Sequence, residues 1–221
     1  MASYSTREES VDRHRDYFID TEEEGKYLPW HWGYSRAAAM LEKIPSGSVV
    51  LEMGCNSGGL TKVIMDHGCL CYGVDVAIPM VLRAEMKGIR ARVAPAEDVP
   101  FSDEMFDVVI ASELLEHVYD PQDVLKEAWR VLKPGGLLIG TVPHDKAYNS
   151  HLCKIEDHVY HTRIYTRDSL VQEISKRMED VKIEEIQFHK PPPGTMVPMV
   201  QLKALNSRKP QWFLFTGRKP S

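Results

Sequence analysis

Apolar residues in this chain gather into short runs separated by longer stretches of helical character. Runs at 49–53, 69–76, 106–111 and 137–143 are almost unbroken, and a shorter one falls at 89–93. A strand apolar on both faces has helices covering both, which is the habit of parallel sheets. Between the runs, residues 60–67, 79–84 and 124–132 carry helical patterning. Gly68 closes the first of these and Lys133-Pro134-Gly135-Gly136 the last, as glycine and proline commonly do. Such strand–helix–strand repetition predicts an α/β fold. Further on, Ser169–Arg177 reads as helix, 181–188 alternates like a strand, Pro191-Pro192-Pro193-Gly194 breaks the chain, and 211–217 forms a closing strand. Ahead of the first run, 6–20 predicts a charged helix that packs over a later element, and 36–44 a second helix.

The first run enters a glycine-rich turn, Glu52-Met53-Gly54-Cys55-Asn56-Ser57-Gly58-Gly59. A buried strand leading into a helix through such a turn builds a ligand site at the strand ends, because glycine lets backbone approach the ligand with no Cβ between them. A dinucleotide-binding turn would place glycines at 54, 56 and 59. Position 56 is Asn, which disfavours a nicotinamide oxidoreductase, although Asn enters the left-handed region more readily than most residues. The second run ends in Gly73-Val74-Asp75-Val76, about 20 residues beyond the turn. A carboxylate there suits a ribose diol, since it accepts two hydrogen bonds.

Composition narrows the classes. The 221 residues fit one large α/β domain. A net charge of −5 leaves no broad basic field for non-specific nucleic-acid binding. No run reaches the roughly 18 apolar residues of a membrane helix, and Met1–Ser10 lacks an apolar signal core, so a cytoplasmic location is expected. Cys55, Cys69, Cys71 and Cys153 show neither C-x-x-C nor zinc spacing and read as reduced, mostly buried thiols.

The glycine turn resembles the E/D-x-G-x-G-x-G motif of class I S-adenosylmethionine (SAM) dependent methyltransferases. Glu52, Gly54 and Gly58 match it, and Asn56 takes the middle glycine's place. Gly73-Val74-Asp75, then Ala96-Glu97-Asp98-Val99-Pro100-Phe101, Leu115-Glu116-His117-Val118 and Arg130-Val131-Leu132-Lys133-Pro134-Gly135-Gly136 continue the likeness over about residues 45 to 145. The chain is similar to methyltransferase type 11 and ubiquinone-pathway O-methyltransferases. The resemblance implies a Rossmann-like three-layer sandwich around a seven-stranded, mostly parallel sheet with one antiparallel edge strand. It implies SAM as cofactor, converted to S-adenosylhomocysteine, held by Glu52, Gly54, Cys55, Asn56, Gly58, Asp75, Val76, Ala96, Glu97 and Ser112. Pro95 stands where the family carries an acid, which leaves adenine recognition to backbone near Ala96 and Glu97. The domain expectation is an N-terminal helical and aromatic segment, 1–44, ahead of a SAM-binding domain, 45–221.

Methyl transfer needs an acceptor aligned with the methyl carbon, and a base is useful but not compulsory. Candidate catalytic residues are His117, His161 and His144. Trp30, His31, Trp32 and Tyr34 offer stacking walls and a polar contact, as a lid over the acceptor or as a cap packing on the core. Tyr165 belongs to a string resembling the family's acceptor-pocket border. The expected reaction is methyl transfer to a small molecule, most readily at oxygen, with no metal, no membrane span and no nucleic-acid partner. Two alternatives stand beside it. Glu113, Glu116 and His117 sit at i, i+3 and i+4, so on a helical turn they would share a face and could hold a divalent metal; this E-x-x-E-H also resembles the ubiquinone-pathway O-methyltransferases and the small-RNA 3′-end 2′-O-methyltransferases, which implies metal-assisted methylation of an RNA 3′ end or a diol. The other alternative is a non-catalytic SAM-binding regulatory subunit. Oligomeric state is not legible.

Overall fold

The structure is a computed structural model that describes residues 6–13, 15, 31–145, 149, 150, 153, 154, 161–187 and 210–221. Helix α1 covers residues 7–13. There follow α2 (His31–Leu41), β1 (Val49–Met53), α3 (Gly59–Asp66), β2 (Leu70–Asp75), α4 (Ile78–Met86), β3 (Arg90–Val93) and β4 (Phe106–Ser112). Next come α5 (Pro121–Val131), β5 (Leu132–Pro143), β6 (Asn149–Ser150), β7 (Cys153–Lys154), α6 (Arg167–Ser175), β8 (Glu179–Ile186) and β9 (Trp212–Arg218). Seven strands make one sheet in the order β3-β2-β1-β4-β5-β9-β8, while β6 and β7 form a small separate ribbon.

Pairing from β3 through β5 is parallel, and β9 runs antiparallel to both β5 and β8. The sheet is therefore the mostly parallel seven-stranded one expected, with its antiparallel pairing at one edge. The reversed strand lies one in from that edge, and β8 is outermost.

Alternation along each strand divides the core in two. Leu51 and Met53 of β1, Val109 and Ala111 of β4 and Leu138 and Val142 of β5 pack under Val124, Leu125 and Ala128 of α5 and Leu170 and Ile174 of α6. Their neighbours Val50, Val108, Ile110, Leu137 and Ile139 face Ala37 and Met40 of α2 and Leu60 and Ile64 of α3. Both faces are thus covered, which is why these strands read as unbroken apolar runs. Helix α5 starts at Pro121 behind Asp120, whose side chain accepts the Gln122 N–H at 2.8 Å. This placement suits a proline at the first turn and an N-cap acid.

From β1 the chain proceeds outward to β2 and β3, then returns to β4 on the other side of β1. The reversal separates the loops that leave the ends of β1 and β4. A crevice opens there, at the place where open α/β sheets bind ligands.

Candidate functional site

The β1–α3 turn holds three residues in the left-handed region: Gly54 (φ 71°), Asn56 (φ 51°) and Gly58 (φ 75°). Asn56 tolerates this conformation with the help of its own side chain, whose Oδ1 accepts the Ser57 N–H at 2.5 Å. Its backbone N–H donates to Asp75 Oδ2 at 2.8 Å, and the Ala77 N–H donates to Asp75 Oδ1 at 2.9 Å. Each carboxylate oxygen of Asp75 therefore has one partner and one remaining lone pair. Burial raises the Asp75 carboxyl, opposed by the N–H groups of Ala77, Asn56 and Val76.

Gly54, Asn56, Asp75 and Val76 line one side of a cleft. Ala94, Ala96 and Glu97 continue that wall, and Leu114, His117 and Val118 line the cleft too, with Glu113. Ser10 and Val11 of α1 close over it, Ser10 Oγ donating to the His117 carbonyl at 3.4 Å. The charged N-terminal helix thus packs over a later element, as its sequence predicted. Ser10 and Val11 themselves carried no motif that would mark them as cleft residues. Burial also raises the Glu97 carboxyl, with Arg7 of α1 acting against it.

Other residues of the expected cofactor set are turned inward. Glu52 is 4% exposed and accepts a hydrogen bond from Thr61 Oγ1. Burial pushes its carboxyl up to about 8, against Thr61 and the Arg36 charge. Cys55 packs its sulfur where a side chain at Gly73 would stand, 2.7 Å from that built Cβ. Gly58 allows α3 to meet α4 and the connection that follows it, since a Cβ there would lie 2.3 Å from Ile89 Cδ1 and 3.2 Å from Ala84 Cα. Ser112 Oγ shares a hydrogen bond with Thr141 Oγ1 at 2.9 Å. Glu52, Cys55, Gly58 and Ser112 thus hold the shape of the strand ends and are not among the residues that line the cleft.

At the end of β4 the helical expectation fails. Residues 113–118 form bends and turns, and Glu113 is left-handed at φ 53°. Glu113, Glu116 and His117 therefore do not share a helical face. Glu113 Oε2 accepts Trp212 Nε1–H at 3.0 Å and lies 3.7 Å from Arg36 Nη1. His161 joins the group in its place: ligand atoms of Glu116, His117 and His161 all lie within 4.8 Å of one another. The His117 and His161 rings meet edge to face, centroids 4.5 Å apart.

Glu116 is the anomaly of the site. It is 1% exposed, and neither carboxylate oxygen has a hydrogen-bond partner among the described residues. Its Oε1 is 3.9 Å from His117 Nε2. Burial, and then the nearby Glu113 charge, drive its carboxyl well above the usual range.

The backbone around Glu116 is held firmly. Arg163 Nη1 donates to the carbonyls of Leu115 and Val118, both at 2.7 Å, and Nη2 to Tyr119 at 2.9 Å. The Thr162 N–H and Oγ1 both donate to the Glu116 carbonyl, at 2.8 and 2.9 Å. Arg163 stood in the sequence two residues beyond His161, but nothing local signalled that it would clamp a turn 44 to 48 residues earlier.

The remaining expected residues divide further. His144 does not line the cleft among the described residues. Its ring stacks on Phe213 of β9 with centroids 4.1 Å apart, its Nδ1 is 2.8 Å from Asp145 and its Nε2 is 3.5 Å from Glu185 of β8. Tyr165 is 4% exposed in the α5–α6 core, and burial raises its phenol. Trp30 lies outside the described residues. His31, Trp32 and Tyr34 fall within the α2 backbone, and their side chains lie outside what is described.

Known proteins align with this architecture. Residues 51–140 match the methyltransferase domain family. The chain is 33% identical over 112 residues to tRNA (carboxymethyluridine(34)-5-O)-methyltransferase of Arabidopsis thaliana, a match covering 49% of this chain and 27% of that protein. It is 34% identical over 101 residues to ubiquinone biosynthesis O-methyltransferase of Pseudomonas fluorescens strain SBW25, covering 41% of this chain and 42% of that one. The chain spans about a quarter to a half of the length of the curated relatives it matches. A SAM-dependent methyltransferase from Thermotoga maritima has the same fold, with a TM-score of 0.70 at 20% identity over 92% of this chain and 97% of that one. No helix among the described residues is long and apolar enough to cross a membrane. With the match running from β1 into β5 and the seven-stranded sheet built around it, residues 51–140 carry a methyltransferase domain of the class I SAM-dependent type.

Proposed function

We propose that the protein binds SAM in this cleft and moves its methyl group to a small-molecule acceptor, at oxygen. The observation that carries the reading is Asp75, a buried carboxylate on the cleft wall with one backbone N–H on each oxygen and a lone pair left on each. That arrangement suits a ribose diol. The turn Gly54–Gly58 borders the methionine portion, and Val76, Ala96 and Glu97 border the adenine. The sulfonium supplies an activated methyl carbon and a neutral leaving group.

What the chain's own residues contribute is alignment and a route for the proton. His117 lines the cleft, and His161 packs edge-on against it. With SAM bound, these residues would hold an acceptor hydroxyl in line with the methyl carbon. The hydroxyl proton passes to an imidazole nitrogen of this pair. A small acceptor is supported by the net charge of −5 and by the cover of α1 over the cleft. Likeness to the ubiquinone biosynthesis O-methyltransferase supports oxygen as the reacting atom.

Calorimetric titration with S-adenosylhomocysteine tests the cofactor half. The wild type is expected to bind one equivalent. Absence of binding removes the reading.

A further inference from the structure

We propose that Arg130, paired with Glu127 one turn earlier on α5, is a positioning residue for base recognition: it sets the backbone that faces the adenine of the cofactor. The inference rests on the methyl-transfer reading above, since it takes the cleft wall at Ala94, Ala96 and Glu97 as the adenine border. Neither Arg130 nor Glu127 is among the residues that line the cleft.

That wall belongs to the connection between β3 and β4, residues 94–105, which contains neither helix nor strand. Its start is fixed to the sheet, where the Ala94 N–H donates to the Asp75 carbonyl at 3.0 Å. Its far half is fixed to α5. Arg130 Nη2 donates to the Val99 carbonyl at 3.0 Å, and Nη1 to the Phe101 carbonyl at 2.7 Å and to Asp103 Oδ1 at 2.8 Å. Glu127 Oε2 accepts the Val99 N–H at 3.1 Å. The same carboxylate takes Arg130 Nε and Nη2 at 2.9 and 2.7 Å, the forked geometry that fixes a guanidinium in its plane. Both backbone groups of Val99 are therefore held by this pair.

Only residues 95–98 lie between the two fixed points, and the Asp98 N–H folds them into a turn by donating to the Pro95 carbonyl at 3.2 Å. So short a span passes any shift of Val99 on to Ala96 and Glu97. Position 95 sharpens the dependence, because proline has neither an N–H nor a polar side chain. Reading of the base is left to the backbone at 96 and 97 and to the Glu97 carboxyl, all placed by the same few peptide units. Adenine presents a donor at N6 and an acceptor at N1. Fixed groups distinguish that polarity only while they are held to within about 0.5 Å.

The test is calorimetric titration with S-adenosylhomocysteine and with S-inosylhomocysteine, whose hypoxanthine reverses the hydrogen-bonding polarity at both edge positions. The wild type should prefer the adenine compound by about 10-fold or more. Arg130→Met should cut that preference to below about 3-fold, and Arg130→Lys, which keeps a cationic donor, should restore part of it. Glu127→Gln retains an acceptor for the Val99 N–H and should keep most of the preference that Glu127→Ala loses. Arg163→Met removes charge-assisted bonds to carbonyls outside this connection, so it shows what lost stability does by itself; its preference should equal that of the wild type. The inference is overturned by a wild type without preference, by Arg130→Met that keeps it, or by an equal loss in Arg163→Met. If Arg130→Met does not fold, Arg130→Lys and Glu127→Ala decide, and an unchanged preference in both overturns the inference. Failure of the wild type to bind S-adenosylhomocysteine is a separate result and removes the methyl-transfer reading instead.

Discussion

Asp75 and Glu116 are both buried carboxylates beside one cleft, 6% and 1% exposed, yet their surroundings differ completely. Asp75 receives a backbone N–H on each oxygen. Glu116 receives none among the described residues, although its backbone carbonyl is bonded twice and the turn around it is clamped by Arg163. The first carboxylate is stabilised as an anion before any ligand arrives. The second is rigidly placed and chemically unfinished.

The largest effect expected from this contrast is on cofactor affinity. Asp75→Ala removes the diol's acceptor and also frees the Asn56 and Ala77 N–H groups that shape the turn. Affinity for S-adenosylhomocysteine should fall by 100-fold or more, about 3 kcal/mol. Glu116→Ala should change it less than 3-fold. Comparable losses in the two variants, read in the same titrations, would merge the two sites into one.

Next in size is an effect of pH on stability. Glu116 is raised by burial, with its native value above its unfolded one. Its contribution is then fully present below about pH 4.5, and is lost as pH rises toward the native value, because the native state keeps a proton the unfolded state has released. Glu116→Gln should therefore gain on the wild type as pH rises, with little difference at pH 4.5. Urea midpoints there and at higher pH measure this. A gain that does not vary with pH would mean that Glu116 does not change its protonation there. Glu52 falls under the same sign rule, its window running from the usual carboxylate range to about 8, so Glu52→Gln serves as the internal standard.

The strand-end wall of the cleft was readable from sequence and the turn after β4 only in part, for a physical reason. Asp75, Val76, Ala96 and Glu97 are placed by strand ends that follow one another closely in the chain, so a local string carries their arrangement. The cluster after β4 joins Glu116 and His117 to His161, more than 40 residues away. Spacing at i, i+3 and i+4 suggested a helical face that the left-handed Glu113 abolishes. Its replacement by His161 depends on Arg163 and Thr162 reaching back to the turn, which no local pattern encodes. His144 looked equivalent to the other histidines in sequence, but β9 pairs beside β5 and brings Phe213 and the β8 residue Glu185 against it. Within the glycine turn, sequence gave the left-handed positions but not that Cys55 and Gly58 serve packing.

Removing the clamp should separate the two halves by a smaller margin. Arg163→Met keeps the side chain's length and loses three carbonyl contacts. Each charge-assisted bond contributes about 1 kcal/mol or more, and solvent entry offsets part of the loss, so about 1–3 kcal/mol of stability should disappear. The change should broaden the His117 and His161 ring resonances while leaving those of Asn56 and Asp75 in place. Equal broadening on both sides of the cleft would show that the turn and the glycine loop move together.

The smallest expected effect concerns Asn56, where this chain departs from the family glycine. Its φ of 51° costs most residues about 1 kcal/mol or more, and Asn recovers part of that through the Oδ1 bond to Ser57. Asn56→Gly removes the strain and the bond together, and adds unfolded-state entropy that opposes the gain. Stability should stay within about 0.5 kcal/mol. Asn56→Ala keeps the strain without the bond and should lose about 1 kcal/mol. Because the Asn56 N–H to Asp75 is backbone, both variants retain it, and affinity for S-adenosylhomocysteine should shift less than 3-fold. A large loss of affinity in Asn56→Gly would instead place the Asn side chain in contact with the cofactor.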